Sequence, residues 1–82
     1  MDEPHIGRLI RQELRRQAKT NQWFAEQLNI NPRTVNKIFQ KNVIDTHQLL
    51  LISRCLNVDF FRCYSDFLKQ CCLLWATARN GQ

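Results

Sequence analysis

A short segment near the middle of the chain combines side chains that can form paired hydrogen bonds with an apolar face. Arg33 and Asn36 lie three residues apart, so a helix would place them on the same side. Arginine can bond to two acceptors of guanine, and asparagine can pair in the same way with adenine. Val35, Ile38 and Phe39 are apolar and would form the opposite face. Such a helix fits either an ordinary solvated surface or a surface that reads bases.

The composition favours one small domain with an anionic partner. The chain has 82 residues, of which 44% are hydrophobic, and its formal net charge is +5. This charge is concentrated between residues 5 and 41, where eight Lys and Arg residues accompany two acidic ones, a net charge of +6. A basic surface of this kind favours nucleic acid, or less often a membrane surface.

Apolar residues recur at helical spacing along the whole chain, and only two glycines and two prolines are present to form turns. The pattern predicts an all-α domain, residues 1–82, with five helices. Thr20 or Asn21 can cap the second helix, Asn31 the third and Asp45 or Thr46 the fourth, while Asp59 can cap the fifth. The expected helices are His5 to Lys19, 21 to 29, 32 to 40, 46 to 56, and about 60 to 78.

The expected core consists of one apolar face from each helix. Its members in the first four helices and their turns are Ile6, Leu9, Ile10, Leu14, Phe24, Ala25, Leu28, Ile30, Val35, Ile38, Phe39, Leu49, Ile52, Cys55 and Leu56. Trp23 is expected to pack against the first helix.

The second and third helices are joined by only three residues, Asn29, Ile30 and Asn31. This is the spacing of a helix-turn-helix, in which the second helix projects far enough to enter a DNA major groove. Such a tight turn needs a small residue where the two helices cross, and Ala25 occupies that place. Asn29 can adopt the left-handed backbone conformation that ends the first of the two helices.

The segment from Thr20 to Lys41, "TNQWFAEQLNINPRTVNKIFQK", resembles the lambda-repressor-like (Cro-type, or XRE) helix-turn-helix family of bacterial transcriptional regulators. The resemblance extends over about residues 5–61, through "IGRLIRQELRRQ" and "IDTHQLLLISRCLNVDFF". Three positions depart from the family pattern. Asn29 stands where glycine is usual, Asn21 followed by Gln22 replaces the usual opening glutamine, and Pro32 replaces a residue that often contacts a base.

The resemblance implies a dimeric repressor that binds palindromic double-stranded DNA with helix 32–40 in the major groove. It implies base contacts from Arg33, Thr34, Asn36, Lys37 and Gln40. Backbone phosphates would be bound by basic or amide side chains and helix N–H groups. The residues expected there are Arg8, Arg11, Arg15, Lys19, Asn21, Gln22, Asn31 and Lys41.

The fifth helix is more apolar than a lone surface helix should be. It can fold back over the core, or it can present a dimerisation or partner surface. We favour the interface, because domains that resemble this one usually dimerise. The residues expected to form it are Tyr64, Phe67, Cys71, Leu74 and Trp75.

Other functional classes receive little support from the sequence. We expect no enzyme, because no carboxylate pair, nucleophile-and-histidine arrangement or glycine-rich phosphate loop is recognisable. The four cysteines contain no C-x-x-C pair, so we expect buried apolar cysteines and neither a metal nor a cofactor. The polar N-terminus and the absence of a long apolar run predict a cytoplasmic protein without a membrane span. The resemblance to DNA-binding regulators implies that it is nucleoid-associated. The alternative function is a protein-interaction module, an antitoxin or an adaptor, that binds through the fifth helix.

Overall fold

The computed structural model describes residues 3–79, with their side chains as far as residue 70. Five helices follow one another along this part of the chain, which contains no strand. They are α1 (Ile6–Arg16), α2 (Asn21–Leu28), α3 (Pro32–Gln40), α4 (Thr46–Leu56) and α5 (Phe61–Arg79). The prediction of an all-α, five-helix chain is therefore confirmed.

Four of the helices begin at a side chain that accepts a hydrogen bond from the first turn. The oxygens of Thr20, Asn31 and Asp45 accept from backbone N–H groups two or three residues later, at 3.0, 2.8 and 2.8 Å. His5 caps α1 in the same way through Nδ1, at 3.1 Å. Each such cap stabilises its helix by about 1 kcal/mol. The caps also decide between the alternatives left open for α2 and α4.

Three helices end at a residue with left-handed backbone conformation. Asn29 and Asn57 have φ angles of 57° and 55°, and asparagine tolerates this region well. Ala18, after α1, also has φ of 57°. The Lys19 N–H then donates to the carbonyl of Leu14 at 3.0 Å and closes the turn. The predicted end of the first helix at Lys19 is therefore wrong, because the chain reverses at Ala18.

Replacing Ala18 with glycine should stabilise the protein. An alanine Cβ is strained in the left-handed region, whereas glycine is not. We expect a gain of about 0.5–1 kcal/mol in the free energy of unfolding, measured by urea denaturation. Asn29→Gly is the matched control and should change stability little. A net loss of stability in Ala18→Gly would contradict the left-handed turn.

Among the residues whose side chains are described, the core is one cluster of twelve buried side chains from α1 to α4, the connector before α4 and Phe60 just before α5. Its members are Ile6, Ile10, Leu14, Phe24, Ala25, Val35, Ile38, Ile44, Leu49, Ile52, Leu56 and Phe60. The predicted core residues Leu9, Leu28, Ile30, Phe39 and Cys55 are half-buried against this cluster, as is Trp23. Ile44 was not predicted, because it lies in the connector before α4 and belongs to no helical pattern.

The helix α3 is held in place by contacts with both α1 and α2, and α2 packs in turn against α4. The closest approach is at Gly7, whose N–H donates to the carbonyl of Lys41 at 3.0 Å. A Cβ at Gly7 would lie 2.5 Å from the carbonyl oxygen of Phe39 and would also collide with that of Ile38. Glycine at this position therefore allows α1 to rest directly on the backbone at the end of α3.

The first turn of α5 packs on the core, and the helix then leaves it. Phe61 and Tyr64 are half-buried against the core cluster, whereas Leu68 is 59% exposed. At the start of the helix, the N–H of Arg62 donates to the backbone carbonyl of Asp59 at 3.2 Å. The predicted cap by the Asp59 side chain stays a prediction. In the described part of the chain, no helix has the length and hydropathy needed to cross a membrane.

Candidate nucleic-acid interface

The turn between α2 and α3 has the geometry that the sequence predicted. Asn29 adopts the left-handed conformation, and the N–H of Ile30 donates to the carbonyl of Ala25 at 2.9 Å. This pair of features is a Schellman end, which fixes the direction in which the chain leaves α2. Ala25 itself is only 1% exposed, as expected for the small residue at the crossing. Asn31 then starts α3 at once, so the two helices form a rigid unit.

The helix α3 has a buried face and an exposed face. Val35 and Ile38 are fully buried in the core. The opposite side exposes four of the five residues predicted to contact bases, which are Arg33, Asn36, Lys37 and Gln40. Thr34, the fifth, is half-buried, so its hydroxyl is less available than the others.

A cleft of about 420 Å³ separates α1 from α3 near the start of α2. It gathers residues from both predicted contact sets. Its lining consists of Arg11, Leu14, Arg15, Lys19, Asn21, Asn36, Phe39 and Gln40. Three cations therefore stand beside two residues of the exposed face of α3. A polyanion lying along α3 would meet both groups at once.

The remaining predicted phosphate contacts lie elsewhere. Arg8 lines a separate cleft of about 620 Å³ at the beginning of α1, together with His5, Asn42 and Cys63. Lys41 and Asn31 are exposed at opposite ends of α3. Arg8 on α1 and the two residues at the ends of α3 therefore do not form one pocket.

The side chain of Gln22 is exposed and points along α2 toward Glu26. Its side-chain amide lies 3.5 Å from the Glu26 carboxylate, at the limit of a hydrogen bond. Asn21, rather than Gln22, lines the cleft. Of the two amides at the start of α2, Asn21 is therefore the one at the cleft.

Arg16 is distinguished from its neighbours by an ion pair. Its guanidinium bonds to the carboxylate of Glu13, to which the Gln17 amide also donates at 2.7 Å. The hydrogen bonds from Arg16 and then from Gln17 hold the pKa of Glu13 below its usual value. Gln17 also donates to the carbonyl of Leu56 at 2.7 Å, tying the end of α1 to α4. The charge of Arg16 is therefore largely balanced, while Arg15 faces the cleft.

Two cations near the cleft rest on aromatic rings. The Arg11 guanidinium carbon lies 6.0 Å from the centre of the Phe39 ring, and Lys19 Nζ lies 4.9 Å from that of Trp23. The Lys19 distance is well within the range of cation–π attraction, and the Arg11 distance lies at its outer limit of about 6 Å. From the sequence, Trp23 and Phe39 were expected to be packing residues only. The position of Lys19, four residues before Trp23, could have indicated their contact from the sequence. The Arg11–Phe39 contact could not, because it depends on how α1 and α3 cross.

The cysteines whose side chains are described have the character of structural residues. Burial raises the pKa of the Cys55 thiol, and burial with the nearby Asp66 raises that of Cys63. A thiol with a raised pKa is a weaker nucleophile near neutral pH. Within the described residues, no group of three His, Cys, Asp or Glu side chains is arranged to hold a metal.

The predicted interface on α5 is only partly within the described side chains. Tyr64 and Phe67 are half-buried, and burial raises the pKa of the Tyr64 hydroxyl. The side chains of Cys71, Leu74 and Trp75 lie outside the described residues. Exposed apolar side chains also occur on α4, where Leu50 and Leu51 are 47% and 39% exposed. The exposure of these two residues was not predicted from the sequence.

In comparisons with known proteins, the chain matches no protein-family model, no curated protein and no solved structure. The interpretation of the site therefore rests on its residues and their geometry.

Proposed function

We propose that the chain is a sequence-specific DNA-binding transcriptional regulator of the lambda-repressor-like type. The observation that carries this proposal is the position of the basic cleft beside the exposed face of α3. One surface thereby offers side chains for base edges and cations for the flanking backbone. Direct readout and backbone positioning need these two kinds of contact together.

Base reading is assigned to the exposed face of α3, inserted into the major groove. Arg33 can bond to the N7 and O6 atoms of guanine, and Asn36 to the N6 and N7 atoms of adenine. Lys37 and Gln40 extend the same face by a further turn. Pro32 has no N–H to donate, so the reading surface begins at Arg33.

Phosphate binding is assigned to the cleft and to the two ends of α3. Arg11, Arg15 and Lys19 would hold one strand of the backbone from the cleft. Asn31, already engaged with the Arg33 N–H, would bring the start of α3 close to a phosphate. These contacts position the protein on the duplex and carry no sequence information.

A salt titration of binding to duplex DNA tests this function. If a dimer neutralises about six phosphates, the logarithm of the association constant should fall with the logarithm of the salt concentration at a slope of about −5. Fluorescence anisotropy with a labelled duplex measures the slope. A folded protein that shows no binding at low salt would refute the proposal.

Dimerisation through α5 is part of the same proposal, since a palindromic site is read by two copies. Phe67 and Leu68 lie where α5 leaves the core, and Leu68 is the more exposed. We expect the double change Phe67→Glu and Leu68→Glu to convert a dimer to a monomer, because like charges would meet in an apolar contact. Sedimentation velocity measures this. An undiminished dimer would show that these residues are not in the interface. Ser65→Glu with Gln70→Glu adds the same charge at exposed polar positions of α5 and is the matched control.

A second function, a protein-interaction module such as an antitoxin or an adaptor, is favoured by one observation. Leu50 and Leu51 on α4 and Leu68 on α5 are large apolar side chains with substantial exposure. Exposed apolar residues of this kind often mark a protein contact. The two functions are separated by changing the reading face of α3. A regulator loses its activity on DNA, whereas a module that binds protein through α4 or α5 retains its partner.

A further inference from the structure

Three planar groups follow one another from the core to the wall of the basic cleft. The Phe24 ring is fully buried, and the Phe39 ring stacks on it with centres 6.5 Å apart and planes inclined by 9°. The guanidinium of Arg11 lies over the Phe39 ring. Arg11 and Phe39 both line the cleft. An exposed cation is therefore connected through one half-buried ring to the centre of the core.

This arrangement addresses the main weakness of an exposed arginine as a phosphate ligand. A long free side chain loses much rotamer freedom when it binds, and that loss opposes binding. A ring that holds the guanidinium by its face removes part of this loss in advance. The ring lies on one side of the guanidinium, so N–H groups directed away from the ring can still bond to phosphate oxygens. The ring contact and phosphate binding therefore do not compete.

We propose that Phe39 is a positioning residue that holds Arg11 ready in the cleft to bind a phosphodiester of the DNA backbone. This inference rests on the proposed DNA-binding function. Phe39 acts through Arg11 and contacts no base itself. Phe39 belongs to α3, the helix that also presents Arg33 and Asn36. Through Phe39, α3 therefore also positions Arg11, the cation on α1 that binds the DNA backbone.

Arg15 provides a matched control within the same cleft. It lines the cleft beside Arg11, and among the described residues its guanidinium has no aromatic partner. If Phe39 acts through Arg11, the effect of removing the ring depends on Arg11 and is independent of Arg15. If Phe39 serves only to stabilise α3, its removal affects both backgrounds equally.

The test is a double-mutant cycle on the full chain, with binding to a 30-base-pair duplex followed by fluorescence anisotropy across a salt series. In the proposed dimer each copy contributes one such contact. Phe39→Leu should therefore weaken binding about two- to five-fold per copy, or roughly 5- to 25-fold for the dimer, the range expected of exposed cation–π contacts. Arg11→Gln should weaken binding and reduce the salt slope by about 0.9 per copy, or about 1.8 for the dimer. Adding Phe39→Leu to Arg11→Gln should have no further effect, whereas adding it to Arg15→Gln should give its full loss. Phe39→Tyr, which keeps the ring, should restore binding.

An equal loss from Phe39→Leu in both arginine backgrounds would overturn the inference. A second measurement needs no DNA. The ring current of Phe39 should shift the Arg11 Nε–H signal in the NMR spectrum of the free protein, and this shift should vanish in Phe39→Leu. An unshifted Arg11 signal in the natural protein would refute the positioning role even if DNA binding is strong. A shifted signal without any DNA binding would instead refute the proposed function.

If Phe39→Leu does not fold, replacing Phe39 with pentafluorophenylalanine keeps the shape of the ring and reverses its quadrupole. Binding should then weaken as it does without the ring, and unchanged affinity would overturn the inference.

Discussion

Replacing Arg33 and Asn36 together with alanine is expected to abolish selective DNA binding while the helical fold persists. Both side chains are exposed on α3 and contribute nothing to the buried core. Each well-placed pairing with a base provides about 1–3 kcal/mol of discrimination. If the two losses add, the preference for the specific site falls by about 2–6 kcal/mol for each half-site, which is roughly 30-fold or more per half-site. Competition binding with specific and unrelated duplexes measures the preference.

The matched control removes one arginine and one amide from another surface. Arg62 and Gln70 are exposed on α5, so Arg62→Ala with Gln70→Ala makes the same change in charge. Circular dichroism should show an intact fold in both double variants. Full retention of selectivity in the α3 variant would contradict the assignment of Arg33 and Asn36 as base-reading residues.

Replacing Gly7 with alanine is expected to destabilise the protein and to weaken DNA binding as well. The new methyl group would collide with two backbone carbonyls at the end of α3, and a backbone cannot rotate away as a side chain can. Overpacking of this kind typically costs about 1–3 kcal/mol. Either α1 or α3 must shift, and a shift changes the cleft between them. Urea denaturation measures the first effect, and anisotropy at a temperature where the variant is folded measures the second.

Gln12→Ala is the matched control, because Gln12 is exposed on the same helix. We expect its stability and its DNA affinity to stay close to those of the natural protein. If Gly7→Ala were as stable as Gln12→Ala, the close contact between α1 and the end of α3 would be wrong.

The fold was predictable wherever a local signal sets the structure. Asn31 caps α3 as its polar side chain predicted, and the sequence narrowed the caps of α2 and α4 to two neighbouring polar residues each, of which the structure has Thr20 and Asp45. Asn29 likewise marks the end of α2. Ala18 carries no such signal, because alanine favours helix over the left-handed conformation. The true end of α1 therefore followed only from the three-dimensional structure.

The sequence predicted which residues could contact DNA, but it did not predict which of them lie in the same cleft. Helical spacing placed Arg33 and Asn36 on one face of α3, which the structure exposes. The separation of Arg8 from the cleft of Arg11 depends on the angle at which α1 crosses α3, and no local pattern encodes that angle. The contact at Gly7 is tertiary for the same reason, although an isolated glycine in a helix is a general sign of close packing.

In vitro selection of bound duplexes from a random DNA pool tests the central claim most directly. The proposed function predicts enrichment of two inverted half-sites about 10 base pairs apart from centre to centre, the spacing that a two-fold dimer requires. Each half-site should contain a guanine and an adenine position that become unselective when Arg33 and Asn36 are replaced with alanine. A folded protein that enriches no sequence above the starting pool would contradict sequence-specific DNA binding by α3.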